Sequence, residues 1–286
     1  MNFTHLFTQI EQTDPEIYDR LDTRRKAMRQ FANIGKKLAA TAVPVALGAM
    51  FKRAYGQTSA DLLGVLNFAL TLEYLEAEFY ATALAKTGLI PAGAALTAIQ
   101  TISQHEAQHV KFIQTAISGA GGTPVAKPKF DFSGGSGSGT GPFAEVFNNY
   151  ELFLAVAQTL EDTGVRAYKG QAPNLLRTGD VLTAALRIHS VEARHAAHIR
   201  QMRRTNNFSA TIKPWITLND TNINPDNAVI RSVYDGENNP VQAGIDLRAY
   251  RALDNAAITF VTATEAFDEP LTRAQVLAIA SPFIAR

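Results

Sequence analysis

The sequence predicts an all-α protein: a four-helix bundle with one long crossover, then an irregular C-terminal extension ending in a short helix. Three observations predict it. Glu106-Ala107-Gln108-His109 and Glu192-Ala193-Arg194-His195 are two copies of Glu-x-x-His, both followed and preceded by helical patterning. Thr71-Leu72-Glu73 with Tyr80 matches Thr159-Leu160-Glu161 with Tyr168. A Gly/Ser-rich stretch separates the two matched halves, so one helical hairpin is repeated with a long connection between the copies.

Ser59 or Asp61 opens the first helix, which runs to about Lys86. Leu62, Leu63, Leu66, Leu70, Ala77 and Leu84 give it a helical stripe, and Thr87-Gly88 with Pro91 ends it. The second helix spans about Ala92 to Ser118, with Leu96, Ile99, Ile102, Ala107, Val110, Ile113 and Ile117 as its apolar positions. The connection from Gly119 to Pro142 contains the run Gly134-Gly135-Ser136-Gly137-Ser138-Gly139, whose composition predicts mobility. The third helix is expected from about Phe143 to Tyr168 and the fourth from about Gly179 to Arg204. The bundle is therefore placed at residues 58–205 and the extension, packing on it, at 206–286. Within the extension, Asn219 to Asn227 reads as turns, and Ala256 to Phe267 is ambiguous between helix and strand. Leu271 to Ile284 reads as a short amphipathic helix capped by Thr272, with Leu271, Val276, Ile279 and Phe283 apolar. No motif of the extension carries chemistry; covering one flank of the bundle or making a subunit contact is its expected role.

Net charge is +1, which gives no reason to expect a nucleic-acid partner. The absence of cysteine excludes disulfides, thiolate nucleophiles, iron–sulfur clusters and cysteine-bound zinc. The uncharged run from Leu38 to Phe51 is too short to span a bilayer, so no stable membrane span is expected. It has the length of an export signal's apolar segment. Residues 1–57 resemble a twin-arginine export signal: Arg24-Arg25 as the pair, Met28 as the apolar position, Arg29 as the trailing base, and Ala54-Tyr55-Gly56 at the cleavage spacing. They depart from it at Ala27, where Phe is usual, and in the long run before the arginines. The resemblance implies a periplasmic or envelope protein; an uncleaved amphipathic helix in a cytoplasmic protein is the alternative.

Residues three apart on a helix share a face, so each Glu-x-x-His projects a carboxylate and an imidazole together. Two such helices, with one Glu from each of two others, supply a dinuclear carboxylate metal site. The ligands expected are Glu73, Glu106, His109, Glu161, Glu192 and His195. Four carboxylates neutralise two divalent cations, and neutral imidazoles suit iron. Two Fe ions are the expected cofactors, with Mn or a mixed Fe/Mn pair as alternatives. Glu76 shares the face of Glu73 and rivals it, but its repeat partner is Gly164, which favours a solvated or supporting role. His105 aligns with Val191 and is expected on another face. His198 is a supporting or surface residue, and His189 a further ligand or not. Tyr80 and Tyr168 either hold a ligand carboxylate by their hydroxyls or fill the core. Asp162 either orients a ligand histidine or lies on the surface.

Residues 60–205 resemble the ferritin-like superfamily, nearest its desiccation-related, rubrerythrin-like branch. Beyond the metal-type residues, Leu66-Asn67-Phe68-Ala69-Leu70, Gly122-Thr123-Pro124-Val125, Leu160-Glu161-Asp162-Thr163-Gly164-Val165 and Ala193-Arg194-His195-Ala196-Ala197 carry it. The resemblance implies redox chemistry with a small-molecule oxidant or Fe2+, of ferroxidase or peroxidase type, in stress protection, and leaves a homo-oligomer open. A non-catalytic stress protein with a structural or vestigial metal is the alternative. Without cysteine there is no rubredoxin module.

Overall fold

The computed structural model describes residues 59–209, 211–223, 226–242, 244–252 and 255–285. The leader expected over residues 1–57 lies outside them.

Four long helices make the bundle: α1 (Ser59–Ala85), α2 (Ala94–Gly119), α3 (Tyr150–Gln171) and α4 (Asp180–Thr205). α1 packs along α2 and α3 along α4, while α1 meets α3 and α2 meets α4. α2 starts after Gly93, whose φ of 92° suits glycine alone. Its buried face runs Ile99, Ile102, Glu106, His109, Ile113, Ala116 and Ile117, so the Glu-x-x-His pair belongs to the inward stripe itself. Ala107, expected in that stripe, is exposed because it lies one residue, about 100°, round from Glu106.

α3 starts at Tyr150, not near Phe143. Asn149 takes the N-cap, its side chain accepting from Leu152 N at 3.1 Å. Phe143 and Val146 precede it in successive turns and are buried in the core, where Phe143 stacks on Phe283 at 5.7 Å between ring centres.

The Gly/Ser run expected to be mobile is folded round one carboxylate. Asp131 Oδ1 accepts from Ser133 N at 3.0 Å and Ser133 Oγ at 2.6 Å; Oδ2 accepts from Gly137 N at 2.7 Å and Gly139 N at 3.0 Å. Composition hides this, because the order comes from backbone N–H groups. Gly141 shows how close the strands of the loop run: a Cβ there would lie 2.3 Å from Ser133 O. Phe283 O and Pro282 O accept from Asp131 N and Ser136 N, which ties the loop to the C-terminus.

Every residue of α3 from Leu152 to Tyr168 is buried. The bundle hides one side and the extension hides the other. The extension contributes α5 (Ala228–Tyr234), a hairpin of β1 (Val241–Gln242) with β2 (Ile245–Asp246), α6 (Phe260–Thr264) and α7 (Arg273–Ala280). The stretch from Ala256 to Phe267 is thus irregular apart from α6. Thr272 and Gln275 form a capping box at the start of α7, and Leu271, Val276, Ile279 and Phe283 are all buried.

Arg166 latches the extension to α3. Its guanidinium donates to the carbonyls of Val233, Asp235 (2.7 Å) and Glu269 (2.7 Å), and pairs with Glu237 at 2.8 Å. Asp162 is buried, binding Arg200 at 2.5 Å and accepting from the Tyr234 hydroxyl at 2.7 Å. It neither orients a ligand histidine nor reaches the surface. Among the described residues, no helix is long and apolar enough to cross a membrane.

Candidate metal centre

The six expected ligands meet on the bundle axis. Glu73, Glu106, Glu161 and Glu192 are fully buried, and His109 and His195 nearly so. They form two groups that share two members: Glu73, Glu106, His109 and Glu192, then Glu106, Glu161, Glu192 and His195. In each group the donor atoms all lie within 4.8 Å of one another. Glu106 and Glu192, one from each Glu-x-x-His, are placed to bridge. Glu73 with His109 stands at one end and Glu161 with His195 at the other.

The distances describe ligands converging on a cation better than a hydrogen-bond network. His109 Nδ1 lies 3.1 Å from an oxygen of each of Glu73, Glu106 and Glu192, and one N–H serves only one of them at full strength. His195 Nδ1 lies 2.8 Å from Glu106 Oε1 and 3.2 Å from Glu161 Oε2. Yet Glu106 Oε1 and both oxygens of Glu192 receive no hydrogen bond. The ion-pair distances are short, but the N–H vectors do not point at these oxygens. Three buried carboxylate oxygens without a donor are costly unless a cation takes that place. The donor set, all carboxylate and imidazole, fits iron or manganese.

The protonation pattern agrees. Burial pushes Glu73 up to about 7 against the pull of His109, and pushes Glu161 up against the pull of His195. Burial and the facing carboxylates push Glu192 well above the carboxylate range. Burial also raises Glu106, but the two histidine rings beside it, His109 and His195, outweigh it and hold it at about 2. Burial lowers His195, yet Glu161 and Glu106 outweigh it and bring the imidazole up to about 10. His109 is held above its usual range by Glu106, Glu192 and Glu73 in the same way. Protons thus do for the bare centre what cations would do, so metal entry must release them.

Both tyrosines touch ligands, and they do so crosswise. Tyr80 of α1 donates to Glu161 Oε1 of α3 at 2.5 Å; Tyr168 of α3 donates to Glu73 Oε1 of α1. Burial and the facing carboxylates push both phenols well above their usual range, so each remains a donor.

The ferritin-like domain family matches residues 61–205. The chain belongs to the ferritin-like family. Among curated proteins none matches it.

Two residues of this ferritin-like centre stand apart from the sequence expectation. Glu76 is not solvated: it is buried beside Glu192, and burial with four facing carboxylates pushes it well above the carboxylate range. Gly164, its repeat partner, makes the room. A Cβ there would lie 2.9 Å from Glu192 Oε2 and 3.2 Å from Glu76 Oε1. The signal was the i, i+3 spacing from Glu73, which outweighs the broken repeat. His105 does not face away: its Nδ1 lies 2.9 Å from His195 Nε2, with the rings stacked at 5.2 Å. Nothing in the repeat marks it, since Val191 fills the equivalent place. His189 is no ligand; its Nδ1 bonds Val165 O at 3.0 Å. His198 is exposed. With His105, Arg194 and His195 it lines a surface groove of about 720 Å³ between α2 and α4.

Proposed function

We propose that the protein is a dinuclear redox protein whose two metal ions are iron, reacting with dioxygen, peroxide or Fe2+ in protection against oxidative or desiccation stress. The observation that carries this reading is the pair of donor groups sharing Glu106 and Glu192, with three oxygens that no hydrogen bond reaches. Glu73 with His109 and Glu161 with His195 would hold the ends, and Glu106 and Glu192 the middle. Two ferrous ions bound there supply two electrons, enough with two protons to convert dioxygen to hydrogen peroxide or hydrogen peroxide to two waters. The chain's own part is to place and exclude. Tyr80 and Tyr168 fix the outer carboxylates, leaving one oxygen of each free to turn inward. The His105 ring nitrogen in contact with His195 Nε2 leaves His195 Nδ1 for the centre. Four apolar helix faces keep bulk water from the buried acids. The export reading of residues 1–57 belongs to the same proposal, because the twin-arginine route carries proteins already folded round their metals.

Anaerobic addition of Fe2+ to the purified protein, followed by dioxygen or peroxide, tests it. The expected result is two irons per chain and near-ultraviolet absorption that grows on oxidation. Absence of bound metal, with metal content and melting temperature unmoved by His195→Ala, would sink the proposal. A mature N-terminus near Gln57 supports export, and an N-terminus at Met1 in the natively located protein defeats it.

A further inference from the structure

One helical turn beyond the ligand layer lies a second feature, a partly open cavity of about 30 Å³. All four helices line it, and although Tyr168 and Gln171 stand among the lining residues, the surface presented to it is apolar. Its position follows from the register. Ala69 stands four residues before Glu73, Ile113 four after His109 and Ile188 four before Glu192, so each shares its ligand's face about 6 Å further along the axis. The Tyr168 ring also lines the cavity, and its hydroxyl donates to Glu73. The cavity therefore abuts the Glu73–His109 end of the centre. The groove that His105 and His198 line lies at the opposite end of the bundle, against His195.

The two approaches differ in what they admit. A site of this size exceeds the roughly 10–15 Å³ that one water requires, yet it offers none of the two to four polar partners a water needs. Hydrogen peroxide and Fe2+ carry hydrogen-bonding groups or charge, and entering it would strip them without compensation. A small apolar molecule meets no such penalty. The groove is the approach that carries polar groups: His105, His195, His198, Arg194 and Gln201 line it.

We propose that this cavity is a holding site for dioxygen on its way to the Glu73–His109 end of the centre; the role rests on the redox function proposed above. Xenon, a probe for apolar gas sites, tests the site without involving iron. Crystals of the full chain under xenon pressure should show a peak bounded by Ala69, Ile113 and Ile188. No xenon there overturns the proposal. Ala69→Leu fills the cavity from α1, and Ala185→Leu fills it from α4 should the first variant not fold. Either should lose the xenon peak and slow oxidation of the Fe2+-loaded protein by dioxygen about tenfold while leaving its oxidation by peroxide unchanged. An unchanged dioxygen rate, or equal slowing by both oxidants, overturns the proposal. Xenon uptake by a protein that binds no iron would overturn the redox function, and with it the role given to dioxygen, while the gas site itself would stand.

Discussion

Replacing Tyr80 by phenylalanine removes one oxygen from a fully buried ring and leaves its packing against Phe79 and Phe153 in place. The lost hydroxyl donates to Glu161 Oε1 at 2.5 Å, while His195 engages the other oxygen at 3.2 Å. A hydrogen bond to a charged group contributes about 1.5–3 kcal/mol, so the metal-free protein should lose about 2 kcal/mol. At about 2–4 °C per kcal/mol for a chain of this order of size, the melting temperature should fall by about 4–8 °C. Donation from Tyr80 also lowers Glu161, which burial raises. Without it Glu161 protonates more readily, and the affinity of the Glu161–His195 end for a divalent cation should drop. If the whole 2 kcal/mol reappears there, the drop is about 30-fold. Thermal melts of the metal-free variant followed by circular dichroism, and calorimetric titration with Fe2+ or Mn2+, read the two effects separately. A melt within 1 °C of the parent, together with an unchanged titration, would refute the reasoning and leave Tyr80 as core filling.

Gly164→Ala should separate stability from metal binding. Alanine is favoured over glycine in a helix by about 0.8–1.0 kcal/mol, but its Cβ would press on Glu192 Oε2 from 2.9 Å. Metal per chain measured by elemental analysis should fall while the metal-free melt holds or rises. Asp131→Ala should expose residues 133–141 to protease, with the bundle's helical signal intact. The pH dependence has the same origin. Asp131 is lowered from its ordinary 3.8 to about 2, chiefly by hydrogen bonds from Ser133 and the Gly139 and Gly137 amides that outweigh burial. Its contribution is therefore complete above about pH 4 and lost as pH falls toward about 2, readable as the pH at which the loop's amides lose exchange protection. Arg166→Met strands Glu237 and three carbonyls in the core, at a cost of about 3–5 kcal/mol, and brief trypsin treatment should then release the extension first.

The bundle was legible because its signals are local and periodic. Glu-x-x-His at helical spacing, twice and in register, names two helices and a shared face at once. The matched Glu–Tyr pairs name the other two. What escaped is whatever depends on contacts between distant residues. The start of α3 shifted because Phe143 and Val146 are apolar positions that the core takes up ahead of the helix, Phe143 stacking on Phe283. The loop after α2 read as mobile because a backbone nest has no side-chain signature beyond one aspartate. Glu76 was discounted because repeat logic expects its partner to match. The structure instead breaks the symmetry there, trading a side chain at Gly164 for room beside Glu192. His105 acquires its place from α4, across the bundle, and so carries no mark within its own helix.

The crossed tyrosines bear on how the protein is made. Tyr80 bonds a carboxylate of α3, Tyr168 one of α1, and both donor groups require Glu192 of α4. A nascent chain that has emerged only through α2 therefore holds Glu73, Glu106 and His109 with no way to close either group. On the proposed reading, cation capture would wait until translation has passed α4, so a loaded centre would certify that the bundle is complete.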